Sequence, residues 1–457
     1  MAISGKHIIL RKIVDCEYNG VTDGFALQRQ VTEWCHRELI PRLDEQLRRL
    51  HTKGKVYRID KLEINVQVDA SANWMTIAAE QIVKQVQDKI EGAIQQLQAD
   101  PSVQLKTYPQ LFVDAFIYFL QHGSLPWWSP VTSYHLWHEE LDNLLITGFN
   151  EAARNRLVQL IKQPAVQQRI IYQLPDELFI KLMVQVNSEV EKDITNLIND
   201  IKHLVTDAGE RKTVLGIFRQ SVMSCIYDVN AIVFAEQVYA HFVQQLSATG
   251  RLHPLLTNKN SFGNTKFRKA HEQRPASRAE KQKQSVTENK AAKEEEGLYI
   301  NNAGLVIVAP FLPTLFKKWH LYNETALTDV NKSVCLVQYL ASGREVVAEF
   351  ELGLAKILCG LQPDTPVDTG IRFTSEEKEE VNDLLASAIE YWQILKDTSP
   401  EGLRQSFLQR QGKLQLVKNN WQLQVEQKPW DVLLQHLPWN ISMLKLPWMT
   451  KMLKTDW

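Results

Sequence analysis

Residues 374–425, TSEEKEEVNDLLASAIEYWQILKDTSPEGLRQSFLQRQGKLQLVKNNWQLQV, decide the fold class. The stretch opens on Thr374-x-x-Glu377, a capping box in which a hydroxyl and a carboxylate reciprocally satisfy the free N–H groups of a helix start. Val381, Leu384, Leu385, Ala388, Trp392 and Leu395 then recur at helical spacing and form one apolar stripe. Ser399-Pro400 signals a second helix, with proline at its first position, running to Gly412. There the period drops to two. Leu414 and Leu416 alternate with glutamine, a turn follows at Lys418-Asn419-Asn420, and Trp421, Leu423 and Val425 alternate again. That pattern predicts a β-hairpin. Helix and hairpin in one continuous stretch imply an α+β module.

Downstream, the tripeptide Leu-Pro-Trp occurs at 437–439 and 446–448, and a third copy extended by Trp128 lies at 125–127. Proline fixes φ, and indole brings a large apolar area with one N–H donor. Two readings stand: core packing at turns, or contact with partners, because Trp is enriched at binding hot spots. Upstream, structure resumes at Gly297. Leu305–Val308 reads as a strand, followed by Pro310, a short helix over 312–319 and a helical region over about 331–360.

Before Gly297 the character changes. Residues 257–296 carry ten Lys/Arg against six Glu and almost no large aliphatics. Such a segment buries too little apolar surface to offset the entropy of ordering, so it reads as a disordered linker. Roughly 40 such residues reach on the order of 130 Å when extended. Phe262 and Phe267 interleave with its basic residues, but the glutamates dilute the charge, which favours a solvated tether over RNA or lipid contact.

Residues 1–100 read as a small β-α-β-α module. A strand over 6–20 carries Ile8, Leu10, Val14, Cys16 and Tyr18, and Asp23 caps a helix over 24–50 that Pro41 kinks or breaks. Leu62, Ile64, Val66 and Val68 alternate with polar residues as a second strand, and Asn73 caps a helix with Ile82, Val86, Ile90 and Leu97 on its stripe. Residues 101–256 read as helices ended or kinked at Pro109, Pro126, Pro130, Pro164 and Pro175. The fold class is therefore α+β and predominantly α-helical: an N-terminal module (1–100), a helical domain (101–256), a linker (257–296) and a C-terminal α+β module (297–457) with its Leu-Pro-Trp tail.

Composition bounds the function. The 457 residues exceed one ordinary core, and a net charge of −1 gives no field that selects nucleic acid. Five scattered cysteines without a CxxC pair point to a reducing compartment. No signal peptide or membrane-spanning run is legible, which implies a cytoplasmic, bacterial-type protein. No phosphate-binding glycine loop or nucleophile elbow is present. Cys35 reads as a packed thiol despite its neighbour His36, because adjacent helical residues diverge. The acidic run 376–380 complements a helix N-terminus more simply than it binds cations. His135 and His138 share a helical face but lack a third ligand, so a metal-dependent hydrolase stays an alternative reading, with no cofactor expected. The tail LPWNISMLKLPWMTKMLKTDW mixes Trp, Leu, Met and Lys as interfacial segments do, and a membrane-surface adaptor is the other alternative.

Several longer strings resemble the contractile injection system tape measure proteins. They are HIILRKIVDCEYNG and YRIDKLEINV near the start, AFIYFLQHGSLPWW and RIIYQLPDELFIKLM in the middle, and NNAGLVIVAPFLPTLF, ELGLAKILCGL and WQLQVEQKPWDVLLQHLPWNISMLKLPWM in the C-terminal half. The resemblance implies a non-enzymatic component of a phage-tail-like contractile particle, with inner-tube, baseplate or sheath proteins as partners and self-association as a further option. It marks Leu125, Pro126, Trp127, Trp128, Pro310, Phe311, Leu312, Pro313, Leu446, Pro447 and Trp448 as recurrent motif positions and hence candidate partner contacts, and Trp439 joins them on the tripeptide reading. A helical ruler supplies about 1.5 Å per residue, so even the proline-free run 176–253 spans only about 120 Å. The chain reads as a short member that sets tube length or serves assembly at the baseplate end.

Overall fold

Contacts divide the chain into two units: Met1–Ala115, Trp127–Val131 and Gln427–Gln435 form one, and Phe116–Pro126, Thr132–Glu426 and His436–Trp457 the other. The structure, a computed structural model, describes residues 9, 12, 14–17, 23–50, 55–57, 59, 61–69, 73–99, 106–227, 231–249 and 297–457. The expected linker at 257–296 and most of the expected strand at 6–20 lie outside them.

In the first unit, Asp23 caps its helix as the sequence predicts, accepting the Ala26 N–H at 3.1 Å. The helix survives Pro41 by widening. Gly24–Trp34 passes into a π-turn, Cys35–Leu39, and the Ile40 N–H bonds back to the Cys35 carbonyl before Ile40–Arg49 continues. The wider turn accommodates a residue that has no N–H to give and whose ring crowds the preceding turn. Trp74–Ala99 packs alongside, and Trp34, Leu39, Leu43, Ala79 and Val86 share the core. Residues 61–69 keep the expected alternation in part: Ile64, Val66 and Val68 are half-buried between exposed Glu63, Asn65 and Gln67, but Leu62, expected on the same face, is exposed. They form no ladder among the described residues, which corrects the expected strand. Ile64 and Val68 lie on the helical core, and helix side chains take the carbonyls: Gln85 donates to Asn65 at 2.9 Å and Lys89 to Glu63. Among the described residues of this unit, strands pair in the two-residue ladder of β1 (Lys55–Val56) with β2 (Lys106–Thr107).

In the second unit a succession of short helices runs from Tyr134–Thr147 to Ala231–Ala248. The prolines mark helix starts: Pro164 opens Pro164–Gln173, and Pro175 precedes Asp176–Val186. The C-terminal part holds a five-stranded sheet of order β3 (Leu298–Ile300), β4 (Gly412–Val417), β5 (Asn420–Val425), β7 (Leu453–Asp456) and β6 (Met443–Leu444). The β4–β5 hairpin turns on Lys418 and Asn419, both at positive φ, 47° and 68°. Two successive positive φ values make the turn that matches strand twist. Leu414, Trp421, Leu423, Val425, Leu444 and Leu453 face inward, while Gln422, Gln424, Lys454 and Asp456 face solvent. β5 and β7 are parallel, so residues 426–452 cross over between them.

Two further readings are corrected. Leu305–Val308 is helical and fully buried, with Ile307 N–H bonded to the Gly304 carbonyl at 2.9 Å, and the strand lies earlier, at β3. A four-residue apolar run carries no period to distinguish the two. Gly304 permits the close approach that seats this helix, since an added Cβ would lie 1.8 Å from the Phe407 carbonyl oxygen. The helical region expected over 331–360 is divided: Val330–Ser342 ends on left-handed Gly343, and Gly353–Leu358 follows. The capping box holds as read, Glu377 N–H to Thr374 Oγ1 at 3.2 Å and Thr374 N–H to Glu377 Oε2 at 2.9 Å.

The helical region meets the C-terminal sheet and helices of its unit through a buried charge cluster. Arg169, Glu349 and Lys356 are all fully buried. Arg169 Nε donates to the Glu349 carboxylate at 3.0 and 3.1 Å, and Lys356 Nζ to its Oε1 at 2.7 Å. The remaining donors reach carbonyls: Arg169 to Leu120 at 2.6 Å and to Asp364, and Lys356 to Pro363 at 2.9 Å. Burial pushes the Lys356 pKa down, against the attraction of Glu349. Gly123, at φ 65°, passes beside the cluster where an added Cβ would lie 2.5 Å from Glu349 Oε1.

Removing one member strands the rest. Glu349→Gln leaves two buried cations without a counter-charge and is expected to cost about 3–5 kcal/mol in urea unfolding. The triple change Arg169→Met, Glu349→Leu, Lys356→Met recovers most of that loss. An unchanged midpoint for Glu349→Gln alone defeats this account.

A second ion cluster sets an acid dependence. Burial works to raise the Asp176 pKa, but Lys202, at 2.6 Å, and Arg219 overcome it and hold the carboxyl below its ordinary value. The folded protein thus binds this proton less readily than the unfolded chain. The contribution is fully present above the ordinary value, about pH 4, and is lost as pH falls toward the lower folded value. Asp176→Asn is expected to lower stability at neutral pH and to flatten the acid limb of a stability–pH curve.

Candidate functional site

The second and third Leu-Pro-Trp copies close the chain onto its own C-terminal helices. Trp439 donates its indole N–H to the Ile307 carbonyl at 2.9 Å and stands edge-on to Phe311, with centroids 5.0 Å apart. The third copy forms a turn in which the Met449 N–H returns to the Leu446 carbonyl at 2.9 Å. Proline pre-sets φ for such a turn. Trp448 stacks on Phe316 at 5.0 Å with 23° between planes, meets Tyr322 edge-on, and donates to the Leu358 carbonyl at 2.7 Å. Gly360, at φ 79°, lets this happen, since an added Cβ would lie 2.8 Å from the Trp448 carbonyl oxygen.

The fold thus brings Phe311 together with Trp439. Leu312 and Leu446 are buried, Phe311, Pro313, Trp439 and Trp448 are half-buried, and Pro310 and Pro447 are exposed. The first copy stands apart, with Pro126 buried and Leu125, Trp127 and Trp128 half-buried. The division between the two units falls within it, after Pro126.

The tail spends part of its apolar set inward and leaves Met443 exposed. Leu444, Leu446, Met449 and Leu453 are buried, and its last strand belongs to the sheet. No helix among the described residues is long and apolar enough to cross a membrane. His138 Nδ1 lies 3.0 Å from the Tyr134 carbonyl oxygen, and no group of three or more His, Cys, Asp or Glu among the described residues is placed to hold a metal ion. Ser221 Oγ lies 3.1 Å from His241 Nδ1 but is fully buried and donates to the Ile217 carbonyl at 2.9 Å, so no substrate reaches it. Cys35 is packed as expected. Burial pushes the Cys335 thiol up to about 12 and Cys359 well above its ordinary value, which suits packing rather than reactivity.

Sequence reading singled out the indoles and missed the side chains that solvent meets. Tyr391 and Ile394 are exposed at 68% and 47%, whereas Trp392 between them is buried. The signal was available, since both lie off the apolar stripe that ends at Trp392 and Leu395.

The two contributions of Trp448 are separable by substitution. Trp448→Phe keeps a ring on Phe316 and loses one hydrogen bond, an expected cost of about 1 kcal/mol. Trp448→Ala removes the packing as well, an expected cost of about 3–5 kcal/mol. Equal losses for the two in chemical unfolding contradict the described geometry.

No curated protein matches the chain. No solved structure matches it either. The family model described as contractile injection system tape measure protein matches residues 6–457, essentially the whole sequence. With that coverage the chain belongs to the contractile injection system tape measure protein family, a family of structural components.

Proposed function

We propose that this chain acts as a non-enzymatic assembly factor at an end of the tube or at the baseplate, and that it does not measure tube length by its own extent. One observation carries this reading. The longest described helix, Trp74–Ala99, has 26 residues, which is about 39 Å at 1.5 Å per residue. The other described helices have 18 residues or fewer. A rod that gauges a tube needs continuous extended or helical structure, and these helices instead pack side by side.

On this reading the folded parts grip inner-tube, baseplate or sheath proteins during assembly in the bacterial cytoplasm, and the polar segment 257–296 connects two stretches of the second unit that the Arg169–Glu349–Lys356 cluster already holds together. The burial of Leu444, Leu446, Met449 and Leu453 counts against the membrane-adaptor alternative. Pro310 and Pro447 are the exposed motif positions, and Leu125, Trp127, Trp128, Phe311, Pro313, Trp439 and Trp448 keep part of their surface.

The test varies chain length. Segment 257–296 is shortened and lengthened in steps, and particles are measured by electron microscopy. A ruler predicts a length change of about 1.5–3.5 Å per residue. Unchanged length in every variant is expected, together with loss of complete particles when the whole chain is deleted. Particle length that tracks residue number sinks the proposal.

A further inference from the structure

We propose that residues 61–69, KLEINVQVD, pair antiparallel with the same residues of a second copy of this chain, about a two-fold axis at Asn65. The stretch joins no ladder among the described residues. In a strand the N–H and C=O groups of successive residues point to opposite edges. One edge is occupied, because the carbonyls of Glu63 and Asn65 accept from Lys89 and Gln85 of helix Trp74–Ala99. The other edge carries the backbone groups of Leu62, Ile64, Val66 and Val68, and no described residue bonds to them. Val14 and Cys16, the described members of the apolar face expected over 6–20, are exposed, which argues against that segment as the occupant. Unpaired strand edges are templates for pairing with another chain.

The sequence of the stretch selects a copy of itself. Antiparallel pairing about Asn65 sets Lys61 opposite Asp69, Leu62 opposite Val68, Glu63 opposite Gln67 and Ile64 opposite Val66. Opposite charges meet, a carboxylate meets an amide, and apolar side chains meet apolar ones. The even residues, whose backbone groups face the open edge, become the pairs that exchange hydrogen bonds. Backbone and side chains therefore agree on one register. A register one residue away sets Leu62 opposite Asp69 and opposes groups that point toward the partner with groups that point away. One two residues further on sets Glu63 opposite Asp69, two like charges. The pairing also accounts for Leu62, which is exposed although it alternates with Ile64, Val66 and Val68. It gains Val68 of the second copy as its neighbour. A nine-residue edge is smaller than a standard interface, so the association is weak and reversible.

The inference stands apart from the assembly reading, since it concerns this chain alone and is tested on purified full-length protein. In sedimentation velocity the protein is expected to shift toward dimer as concentration rises. Asp69→Lys sets lysines opposite one another at both ends of the pair and is expected to weaken dimerisation about three- to tenfold. Lys61→Asp is expected to weaken it similarly, and the exchange Lys61→Asp/Asp69→Lys to restore it. Both positions are exposed. Register is read by cysteine crosslinking in a chain carrying Cys16→Ser. Asn65→Cys is expected to give a disulfide-linked dimer, because a non-hydrogen-bonded pair stands about 4.5 Å apart at Cα. Glu63→Cys and Gln67→Cys are expected to link to each other in a mixture and to give no dimer alone, each lying about 14 Å from its own copy. A monomer at every concentration overturns the proposal. So does dimerisation that the charge exchange does not restore, or a dimer from Glu63→Cys alone. Hydrogen exchange identifies an occupant from the same chain: protection of the Ile64 and Val66 amides that does not depend on concentration also overturns it.

Discussion

Glu349 is the point on which the second unit turns. Its carboxylate takes a guanidinium from a helix 180 positions earlier in the chain and an ammonium from the short helix that follows, Gly353–Leu358. Charges taken fully out of water are tolerated only where nearly every donor has an acceptor. Here the carbonyls of Leu120, Pro363 and Asp364 complete the set, so their peptide groups must stand where Arg169 and Lys356 reach them. Gln173 extends the same contact, bridging the Glu349 N–H at 3.2 Å and the Val367 carbonyl at 2.9 Å. An apolar contact of similar area would permit sliding, whereas this cluster permits one register. The left-handed turn at Gly123 follows from it, since any side chain there would displace the carboxylate.

The indoles solve a different problem. A parallel β5–β7 pair obliges the chain to leave the sheet, cross over and return, and such a connection is held only by what it packs against. Trp439 and Trp448 fasten the crossover at two points, each by a ring contact and a hydrogen bond to a carbonyl at or near the end of a short helix. The N–H adds to the area, because a buried carbonyl at a helix end has no partner within its helix. Leucine at either site would fill space and leave Ile307 or Leu358 unsatisfied.

Legibility followed the range of the forces involved. The capping box at Thr374, the cap at Asp23 and the hairpin at 412–425 are local, and each was readable from residues within a few positions of one another. Leu305–Val308 was misread because four apolar residues in a row hold no period. The alternation at 61–69 marks a half-buried face for Ile64, Val66 and Val68 but not for exposed Leu62, and a ladder depends on what lies beside it, which alternation does not encode. The Arg169–Glu349–Lys356 cluster was invisible, since a charged residue in a sequence looks solvated until the fold brings its partners. At the candidate site, reading hydrophobicity alone drew attention to the tryptophans that the fold spends inward and away from Tyr391 and Ile394.

That inversion bears on how such a chain meets its neighbours. Twelve tryptophans suggest a sticky surface, yet Trp34, Trp137, Trp392 and Trp421 are buried and Trp439 and Trp448 are engaged at home. Large aromatic area commits a protein to durable association, because dissociation must rehydrate it. A surface of carboxylates with a few exposed apolar groups commits it less, with faster encounter and stronger dependence on salt. A factor needed while a particle is built, and needed in order, gains from contacts that form quickly and release. The interior use of the indoles ties the crossover to the C-terminal helices through Ile307 and Leu358.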